Sequence, residues 1–409
     1  MLITVKGLVD VDRKIVVDNA WVMTEQTQIV NRGRQTDMPA VNDRSKLIEY
    51  TDQYLLPGLI NSHAHLVLPS AGKPFHYRQS DEMALLTAVR NMQIEHRSGV
   101  TTLRDCGDQN GVLFSLRQAI EEDILTGPRL LLCGPPLTCT GGHAHFLGGQ
   151  SDGPESIRTA VEERIDAGAD FIKLIATGGS TPGTRPALAS YSVAEMAMAV
   201  KTAHRSGKPV AAHCRGIPGI RNAIDAGVDH IEHACFELPD GSLRFDRDLA
   251  ERMSRAGTFV TPTIQLYRDA RDVLNKKQAS GGLTPEESER LKRSPKVIAE
   301  KYRSLQELIK LGVKCVAGSD AGLPQTGFGR LWQELDAMIC AGMTPMQAIL
   351  SATRTAAEAM NMADSIGSVR VGKQADLLVV EENPVEDIRA LKKVRMVMKA
   401  GQIVYTDSF

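Results

Sequence analysis

The chain has 409 residues, 42% of them hydrophobic and only 4% aromatic, and its formal net charge is −1. This length allows one large domain and a smaller one. The near-zero charge and scarce aromatic residues argue against nucleic acids or anionic membranes as partners. We expect a cytoplasmic protein, because the sequence shows neither a signal peptide nor an apolar run that could span a bilayer. The seven cysteines are scattered without a C-x-x-C pair, which indicates buried thiols in a reducing compartment.

Both ends of the chain are rich in short β-type runs separated by polar turns. The N-terminal runs lie within residues 2–58 and the C-terminal runs within residues 367–407. Because the two sets look alike, we predict that residues 1–56 and 366–409 together form one small β-sandwich domain beside the rest of the chain.

Residues 57–365 alternate short apolar runs with amphipathic helical segments that end near glycine. This alternation predicts an α/β fold, namely a TIM-type (β/α)8 barrel of parallel strands. A doubly wound sheet is the alternative, although no G-x-G-x-x-G motif follows the first run. The predicted strands lie at residues 59–66, 100–107, 129–137, 171–179, 209–216, 230–236, 258–264 and 314–322.

A long charged helical stretch, at about residues 267 to 311, follows the seventh predicted strand. It includes a capped helix start at Thr284 in the motif T-P-E-E, and it is too long for a plain connector. We interpret it as a lid, an oligomer contact or a solvated helical hairpin, and we leave a homo-oligomer open.

Side chains that bind metals lie at the ends of several predicted strands, where a parallel barrel carries its active-site groups. His63 and His65 lie on one strand and face the same way, because side chains alternate along a strand with period two. A single buried histidine would need no metal, but that alternative does not explain why all these residues share one end of the barrel. The coincidence predicts a metal centre. Its candidate residues are His63, His65, His213, His233 and Asp320.

Lys173 lies in the middle of the apolar run F-I-K-L-I-A-T-G-G. A lysine is rarely buried unless a partner or a change of charge compensates the cost. One interpretation is an aldolase-like lysine that forms a Schiff base with a carbonyl substrate. That alternative leaves the four histidines and Asp320 without a role.

Five motifs, in this order, resemble the amidohydrolase superfamily of metal-dependent hydrolases: L-P-G-L-I-N-S-H-A-H-L, K-L-I-A-T-G-G, A-A-H-C, I-E-H and G-S-D-A-G. The C-terminal G-S-V-R-V-G-K-Q-A-D-L-L-V-V is similar to the split β-domain of that superfamily, so the resemblance covers essentially the whole chain. It implies the binuclear type, in which a lysine carboxylated by CO2 bridges two divalent ions. Lys173 would be that lysine. The implied ligands are His63, His65 and Asp320 for the first ion and His213 and His233 for the second.

The resemblance also implies a mechanism. A negative bridge with two oxygens reduces the repulsion between the cations, and a hydroxide between them would be the nucleophile, because coordination lowers the pKa of water. Asp320 would act as the catalytic proton shuttle, taking the proton from this hydroxide and passing it to the leaving nitrogen. Zinc suits histidine and carboxylate ligands best, while manganese, iron and cobalt remain alternatives.

Candidate substrate-binding residues follow from a similarity to the prolidase-like dipeptidases of this superfamily. The stretch T-C-T-G-G-H-A-H-F-L-G-G resembles their T-G-G-H-G, with His143 at the histidine that meets substrate. The stretch T-P-T-I-Q-L-Y places Tyr267 at their carboxylate-binding tyrosine. The sequence departs from the pattern of these dipeptidases at two positions. His145 follows two residues after His143, where they usually have a different residue, and Arg215 lies in H-C-R-G, where they usually have H-A-H-G. Arg215 would bind a substrate carboxylate through two hydrogen bonds, or it would be a surface or supporting arginine.

The combined prediction is hydrolysis of a carbon–nitrogen bond in a small-molecule amide, such as a dipeptide or an N-acyl amino acid. Cyclic amides, carbamates, lactones and other esters suit the same centre and remain alternatives. Imidazolonepropionase is similar in general pattern, but its family works with one metal and lacks the bridging lysine, so Lys173 argues against that activity. A non-catalytic scaffold would have lost some ligands, whereas here all of them are present.

Overall fold

The computed structural model describes residues 1–40, 43–69 and 78–407. The fold is mixed α/β, with one sheet built from both chain ends and two parallel sheets between them. The strands are β1 (Leu2–Asp10), β2 (Ile15–Glu25), β3 (Gln28–Arg34), β4 (Leu47–Pro57), β5 (Leu59–Ala64), β6 (Val100–Asp105), β7 (Arg129–Leu132), β8 (Ile172–Ile175), β9 (Val210–Gly216), β10 (His230–Glu237), β11 (Phe259–Thr261), β12 (Leu377–Val380), β13 (Val394–Lys399) and β14 (Gln402–Thr406). The helices are α1 (Asp81–Arg97), α2 (Val112–Glu121), α3 (Pro154–Asp166), α4 (Val193–Arg205), α5 (Ile217–Ala226), α6 (Arg247–Ala256), α7 (Gln265–Ala279), α8 (Pro285–Lys310), α9 (Leu331–Cys340), α10 (Pro345–Ser351) and α11 (Arg354–Ala359).

The terminal sheet, in the order β14-β13-β12-β4-β1-β2-β3, combines strands from both ends of the chain. β12 pairs antiparallel with β4, so that Val379 lies opposite Leu55, and β4 runs parallel to β1. Both residues are buried in an apolar cluster that also contains Val5, Met396 and Met398. Burial of this cluster favours the association of the two chain ends.

The strands between Leu59 and Thr261 pair only in parallel. β5, β6 and β7 form one sheet, and β8, β9, β10 and β11 form the other. A helix separates each of these strands from the next, as parallel pairing requires. Isolated parallel bridges join the edges of the two sheets to each other and to the segment after α8. They are Leu137–Leu174, Ala64–Ala321 and Val260–Cys315.

The eighth predicted strand, at residues 314–322, is not a regular strand. Its backbone still bonds to β11 through the amide of Val316 and to β5 through the carbonyl of Ala317. Beyond these bonds, a φ of 52° at Asp320 interrupts the extended conformation. A Cβ at Gly318 would lie 2.6 Å from Cβ of His63, so this segment approaches β5 too closely for a larger residue.

The long stretch predicted to be helical is the pair α7 and α8, which pack against each other. α8 begins at a capping box in which Thr284 and Glu287 bond to each other's backbone amides, as the sequence predicted. An ion pair between Lys277 of α7 and Glu287, at 2.6 Å, ties the two helices together. The stretch is therefore a helical hairpin, and one side of it lines a cavity described below.

In the described part of the chain, no helix is both long and apolar enough to cross a membrane. The seven cysteines are free thiols. Burial raises the pKa of the Cys106 thiol to about 12, so that it behaves as a small apolar side chain. Five of the thiols are buried as predicted, namely Cys106, Cys133, Cys214, Cys235 and Cys315, whereas Cys139 is half-buried and Cys340 is exposed.

Candidate metal centre

His63 and His65 lie at the carboxyl end of β5, where both meet Asp320. β5 is buried along its whole length, and the centroids of the two imidazole rings are 5.3 Å apart. The Nε2 atoms of the two rings lie 3.4 and 3.5 Å from Oδ1 of Asp320. Three candidate ligands therefore converge on one point.

His233 and His213 approach the same point from the middle of β10 and β9. His233 is the last residue of β10 in regular register with β9, and His213 is the last residue of β9 paired with β8. His63, His233 and Asp320 are all buried, and their potential ligand atoms lie within 4.8 Å of one another. The ring of His213 has its centroid 4.6 Å from that of His233. His233 has a φ of 71°, where β10 loses its regular register with β9. Backbone strain of this kind is common at functional sites.

Lys173 of β8 is buried at the same site. Its side chain is 2% exposed, and its Nζ has no hydrogen-bond partner in the described part of the chain. Besides burial, the positive charge of its ammonium group acts on the pKa values of His63, His213 and Asp320 and lowers all three. An unpaired buried ammonium group is strongly unfavourable. Conversion of this amine to a carbamate that binds metal ions removes the cost, so the residue fits the bridging role.

Glu232, in β10, holds His63 in place. Oε2 of Glu232 lies 2.8 Å from Nδ1 of His63, and Oε1 accepts a hydrogen bond of 2.5 Å from Nη2 of Arg104. Arg104 also donates from Nε to the carbonyl oxygen of Ser62 over 2.7 Å. Because the carboxylate engages Nδ1, Nε2 of His63 is left with the lone pair that a metal ion needs.

Oxygen atoms orient two further histidines in the same way. Nδ1 of His65 lies 3.3 Å from the carbonyl oxygen of Gly107, and Nδ1 of His233 lies 2.7 Å from Oγ1 of Thr263. Lys301 reaches this site from α8, is 2% exposed, and donates from Nζ to the carbonyl oxygen of His233 over 2.5 Å. The imidazoles are therefore oriented by the protein itself, before any ion is bound.

Burial sets the protonation states of the site. It lowers the pKa of His63, and it lowers those of His213 and His233 together with repulsion from neighbouring cationic groups. Burial also lowers the pKa of His65, but the interaction with Asp320 more than offsets this and raises it. Burial would raise the pKa of Asp320, yet the nearby histidines, His63 foremost, hold it well below its usual value. The neutral imidazoles of His63, His213 and His233 beside the ionised carboxylate of Asp320 are forms that bind divalent ions, whereas the imidazole of His65 must lose its proton to bind one.

A cavity of about 40 Å³ opens onto this group of side chains, and most of the residues predicted to bind substrate line it. Four of the candidate ligands line it, together with His143, Arg215 and Tyr267. His143 lies 2.8 Å from Oγ1 of Thr181, and burial lowers the pKa of His143 to about 3. His145 is not one of the described residues that line this cavity. It is half-buried, with Nδ1 3.0 Å from the carbonyl oxygen of Gly142.

The other two predicted substrate residues have partners within the protein. Arg215 donates to Oε2 of Glu237 from Nε over 2.9 Å, and its Nη2 lies 2.7 Å from the same oxygen. The hydroxyl of Tyr267 lies 3.0 Å from Sγ of Cys235. A substrate carboxylate that binds Arg215 would therefore share this arginine with Glu237.

A larger cavity of about 260 Å³ adjoins the first one, between α7, α8 and the segment that joins β10 to α6. The two cavities have Arg215 and Tyr267 in common. We call the larger one the arginine-lined cavity. Its other lining residues are Glu237, Gly241, Leu243, Ala270, Arg271, Leu274, Arg290, Arg293, Ser294 and Val297.

Several of these residues escaped sequence-based reasoning. Glu232 and Arg104 are charged residues inside apolar strands, the same signal that singled out Lys173, so the sequence contained a sign of both. Glu237 lies at the end of β10 and Lys301 in a charged helix. Nothing local distinguishes those two, because their positions depend on how distant elements pack.

Comparison with known proteins shows which family the chain belongs to. The profile of the amidohydrolase family matches residues 54–404. The chain belongs to the amidohydrolase family. The expected superfamily is thereby confirmed, and the protein is a hydrolase that acts on carbon–nitrogen bonds. Enzymes of this family generally use metal ions.

Three relatives illustrate the similarity of this amidohydrolase to proteins of known activity. The crystal structure of a Xaa-Pro dipeptidase with methionine bound in its active site is 30% identical, with a TM-score of 0.87 and 99% of each chain covered. A prolidase complexed with N-methylphosphonate-L-proline is 28% identical, with a TM-score of 0.82 and 100% of each chain covered. Ochratoxinase from Aspergillus niger is 28% identical over 94% of this chain and 82% of its own.

Proposed function

We propose that this amidohydrolase cleaves the amide bond of an amino-acid derivative, such as a dipeptide or an N-acyl amino acid, at a centre of two divalent ions. The observation that carries the proposal is the buried Nζ of Lys173, unpartnered within the described residues, at a site where His63, His233 and Asp320 converge. A carbamate between two cations accounts for a buried lysine at this position. The relatives named dipeptidase and prolidase support an amide substrate of the amino-acid type.

We also propose a division of the chain into two domains. We propose that residues 57–365 form a (β/α)8 barrel, and the bridges at the edges of the two parallel sheets support its closure. Residues 1–56 and 366–409 would form a separate β-sandwich domain. The terminal sheet has an apolar cluster of its own, which supports this division, while Leu56, Leu378 and Val397 on the same strands pack into the large cluster of the rest of the chain.

The ligand assignment follows the family resemblance and agrees with the donor types at the site. Zinc is the metal we favour, because four imidazoles and carboxylate oxygens suit it. N-carboxylated Lys173 would bridge the ions. The other assignments are His63, His65 and Asp320 for the first ion and His213 and His233 for the second.

When bound, the ions would supply a Lewis acid that polarises the scissile carbonyl and a water of lowered pKa. The carboxylate of Asp320 lines the cavity and would carry the proton from the attacking water to the leaving nitrogen. Glu232 would hold His63 through Nδ1, as it does in the structure. Burial of these side chains excludes bulk water from the reacting groups.

Substrate contacts are assigned by position in the cavity wall. His143 and Tyr267 would contact the substrate directly, since both line the cavity beside the candidate ligands. Arg215 would bind a substrate carboxylate while it keeps its contact with Glu237. His145 would contact only a substrate that extends past His143.

A screen of dipeptides and N-acyl amino acids on metal-loaded protein tests this function. We expect turnover by the wild type, a raised KM for carboxylate-bearing substrates in Arg215→Met, and no turnover in Asp320→Asn. Turnover of lactones or carbamates but of no amide would move the assignment to another substrate class. An enzyme that stays fully active after exhaustive chelation would contradict the metal mechanism.

A further inference from the structure

The arginine-lined cavity adjoins the cavity at the metal centre. Arg215 and Tyr267 line both cavities, so the larger space begins at side chains that also face the candidate ligands. Tyr267 belongs to α7, and the opposite wall is formed by α8. The helical hairpin therefore builds a second compartment beside the reacting groups.

The charges that line this compartment are predominantly positive. The four arginines on its wall face one carboxylate, Glu237, and that carboxylate is paired with Arg215. Two acidic residues of α8 near Arg290 are engaged elsewhere, since Glu287 pairs with a lysine of α7 and Glu289 lies 4.0 Å from Lys292. The third, Glu286, forms no ion pair with Arg290 among the described residues. Arg290 is thus left as a guanidinium with no ion pair among the described residues.

The remaining two arginines have only weak partners. Arg293 donates from Nη2 to the backbone carbonyl of Asp240 over 3.2 Å, and Arg271 contacts its exposed neighbour Asp272 at 3.0 Å. Gly241 allows the first contact, because a Cβ there would lie 3.2 Å from Nη2 of Arg293 and its φ is 75°. Exposed pairs of this kind contribute little, so both guanidinium groups can exchange them for a ligand.

Most of the rest of the wall is apolar, with Ser294 as a polar exception. Leu243, Ala270, Leu274 and Val297 surround the space between the arginines. A ligand that suits this wall has a short aliphatic stem and ends in a carboxylate, which guanidinium groups bind through paired hydrogen bonds. The side chain of an acidic amino acid has this form.

We infer that the arginine-lined cavity binds an acidic side chain of the substrate, so that the enzyme prefers amides in which a residue flanking the scissile bond is glutamate-like. This inference rests on the proposed amide hydrolysis. It assigns the helical hairpin a role in specificity, and it is independent of which metal occupies the centre.

The test compares kcat/KM for Ala-Glu and Glu-Ala with that for their uncharged isosteres Ala-Gln and Gln-Ala. We expect the wild type to favour one acidic dipeptide over its isostere by about tenfold, the effect of one charge-assisted contact. The order that shows the preference identifies which residue of the substrate enters the cavity. In the double variant Arg290→Gln/Arg293→Gln, the ratio should fall close to one.

Two further variants make the result specific. Lys292→Gln lies on α8 but outside the cavity lining, and it should leave the wild-type ratio unchanged. The double variant Arg290→Glu/Arg293→Glu should favour Ala-Lys or Lys-Ala over the acidic dipeptide. Equal ratios in the wild type and in both double variants would overturn the inference while leaving the amidase function intact.

A direct binding measurement separates this inference from the proposed function. If the wild type cleaves no dipeptide, the proposed function fails. Calorimetry with glutarate then tests, without any turnover, whether the arginine-lined cavity binds a carboxylate. We expect glutarate to bind the wild type and Lys292→Gln, and to bind Arg290→Gln/Arg293→Gln about tenfold more weakly. Equal or absent binding in all three proteins would overturn the inference.

Discussion

The metal centre and the arginine-lined cavity lie side by side and share Arg215 and Tyr267, but different parts of the fold build them. Candidate ligands come from the ends of buried strands, and a carboxylate or a backbone oxygen holds several of them. The cavity beside them is lined by exposed side chains of two surface helices, among them Arg290 and Arg293. A change in the first region should therefore abolish function, whereas a change in the second should alter selectivity.

The largest effect is expected from substitution of Lys173, because the metal centre should tolerate changes less than the arginine-lined cavity does. Lys173→Ala and Lys173→Arg should both lose metal and activity, because neither side chain can form the bridging carbamate. A short-chain carboxylic acid added to Lys173→Ala should restore part of both. The measurements are metal content by mass spectrometry and turnover of the best dipeptide.

Lys201→Met, an exposed lysine of α4, is the matched control and should behave as the wild type. Full activity of Lys173→Arg would contradict the carbamate and favour a role for the cationic side chain.

Glu232→Gln should reduce metal affinity or kcat by about 10–100-fold, the usual effect of losing a carboxylate behind a metal-binding histidine. It leaves Arg104 buried without its charge partner. The variant should therefore also lose about 3–5 kcal/mol of unfolding free energy. Metal titration and chemical denaturation measure the two effects.

Asp170→Asn provides the comparison for Glu232→Gln. Asp170 pairs with Arg117 at 2.7 Å, just before β8 and at the opposite end of the strands. This variant should destabilise the fold without weakening metal binding. Equal loss of metal in the two variants would show that the effect of Glu232→Gln is only a loss of stability.

Lys301→Met should have a smaller effect, up to about tenfold on kcat, because Lys301 acts through the backbone of His233 and not through a ligand atom. Lys296→Met, an exposed position on the same helix, should have none. The readout is kcat together with the affinity for the more weakly held metal ion. If Lys301→Met changes stability but neither of these values, the lysine only fills space.

The smallest effect is expected from added salt, which should weaken only the binding of acidic substrates in the arginine-lined cavity. Raising the ionic strength from about 0.01 M to about 0.15 M shortens the Debye length from about 30 to about 8 Å, so exposed arginines attract an acidic substrate less. We expect a few-fold rise in KM for the preferred acidic dipeptide and little change for its amide isostere. Equal salt dependence for both substrates would contradict the role of the arginines.

Sequence patterns predicted most of the strands well, because strands follow from local periodicity, while the assignment of the ligands stays a prediction. The apolar runs with His63, Lys173 and His213 became β5, β8 and β9, and parallel strands bring their carboxyl ends together. The strand predicted at residues 314–322 was wrong in detail. The positive φ of Asp320 and the close packing at Gly318 prevent a regular strand there. Cytoplasmic location stays a prediction of the sequence.

Contacts between distant elements were beyond sequence patterns. Lys301 meets the carbonyl of His233 only because the fold brings α8 within hydrogen-bonding reach of β10, and Arg215 meets Glu237 only because β9 and β10 are neighbours. The arginine-lined cavity has the same origin. Three of its four arginines lie in ordinary charged helices, and only the position of the hairpin directs them to the space beside Arg215.

Carbon-13 NMR of metal-loaded protein equilibrated with labelled CO2 tests the central claim most directly, because it detects the carbamate itself. We predict one lysine carbamate signal, together with two divalent ions per chain, and the loss of this signal in Lys173→Ala. An active, metal-replete wild-type enzyme without a carbamate signal would contradict the bridging role of Lys173.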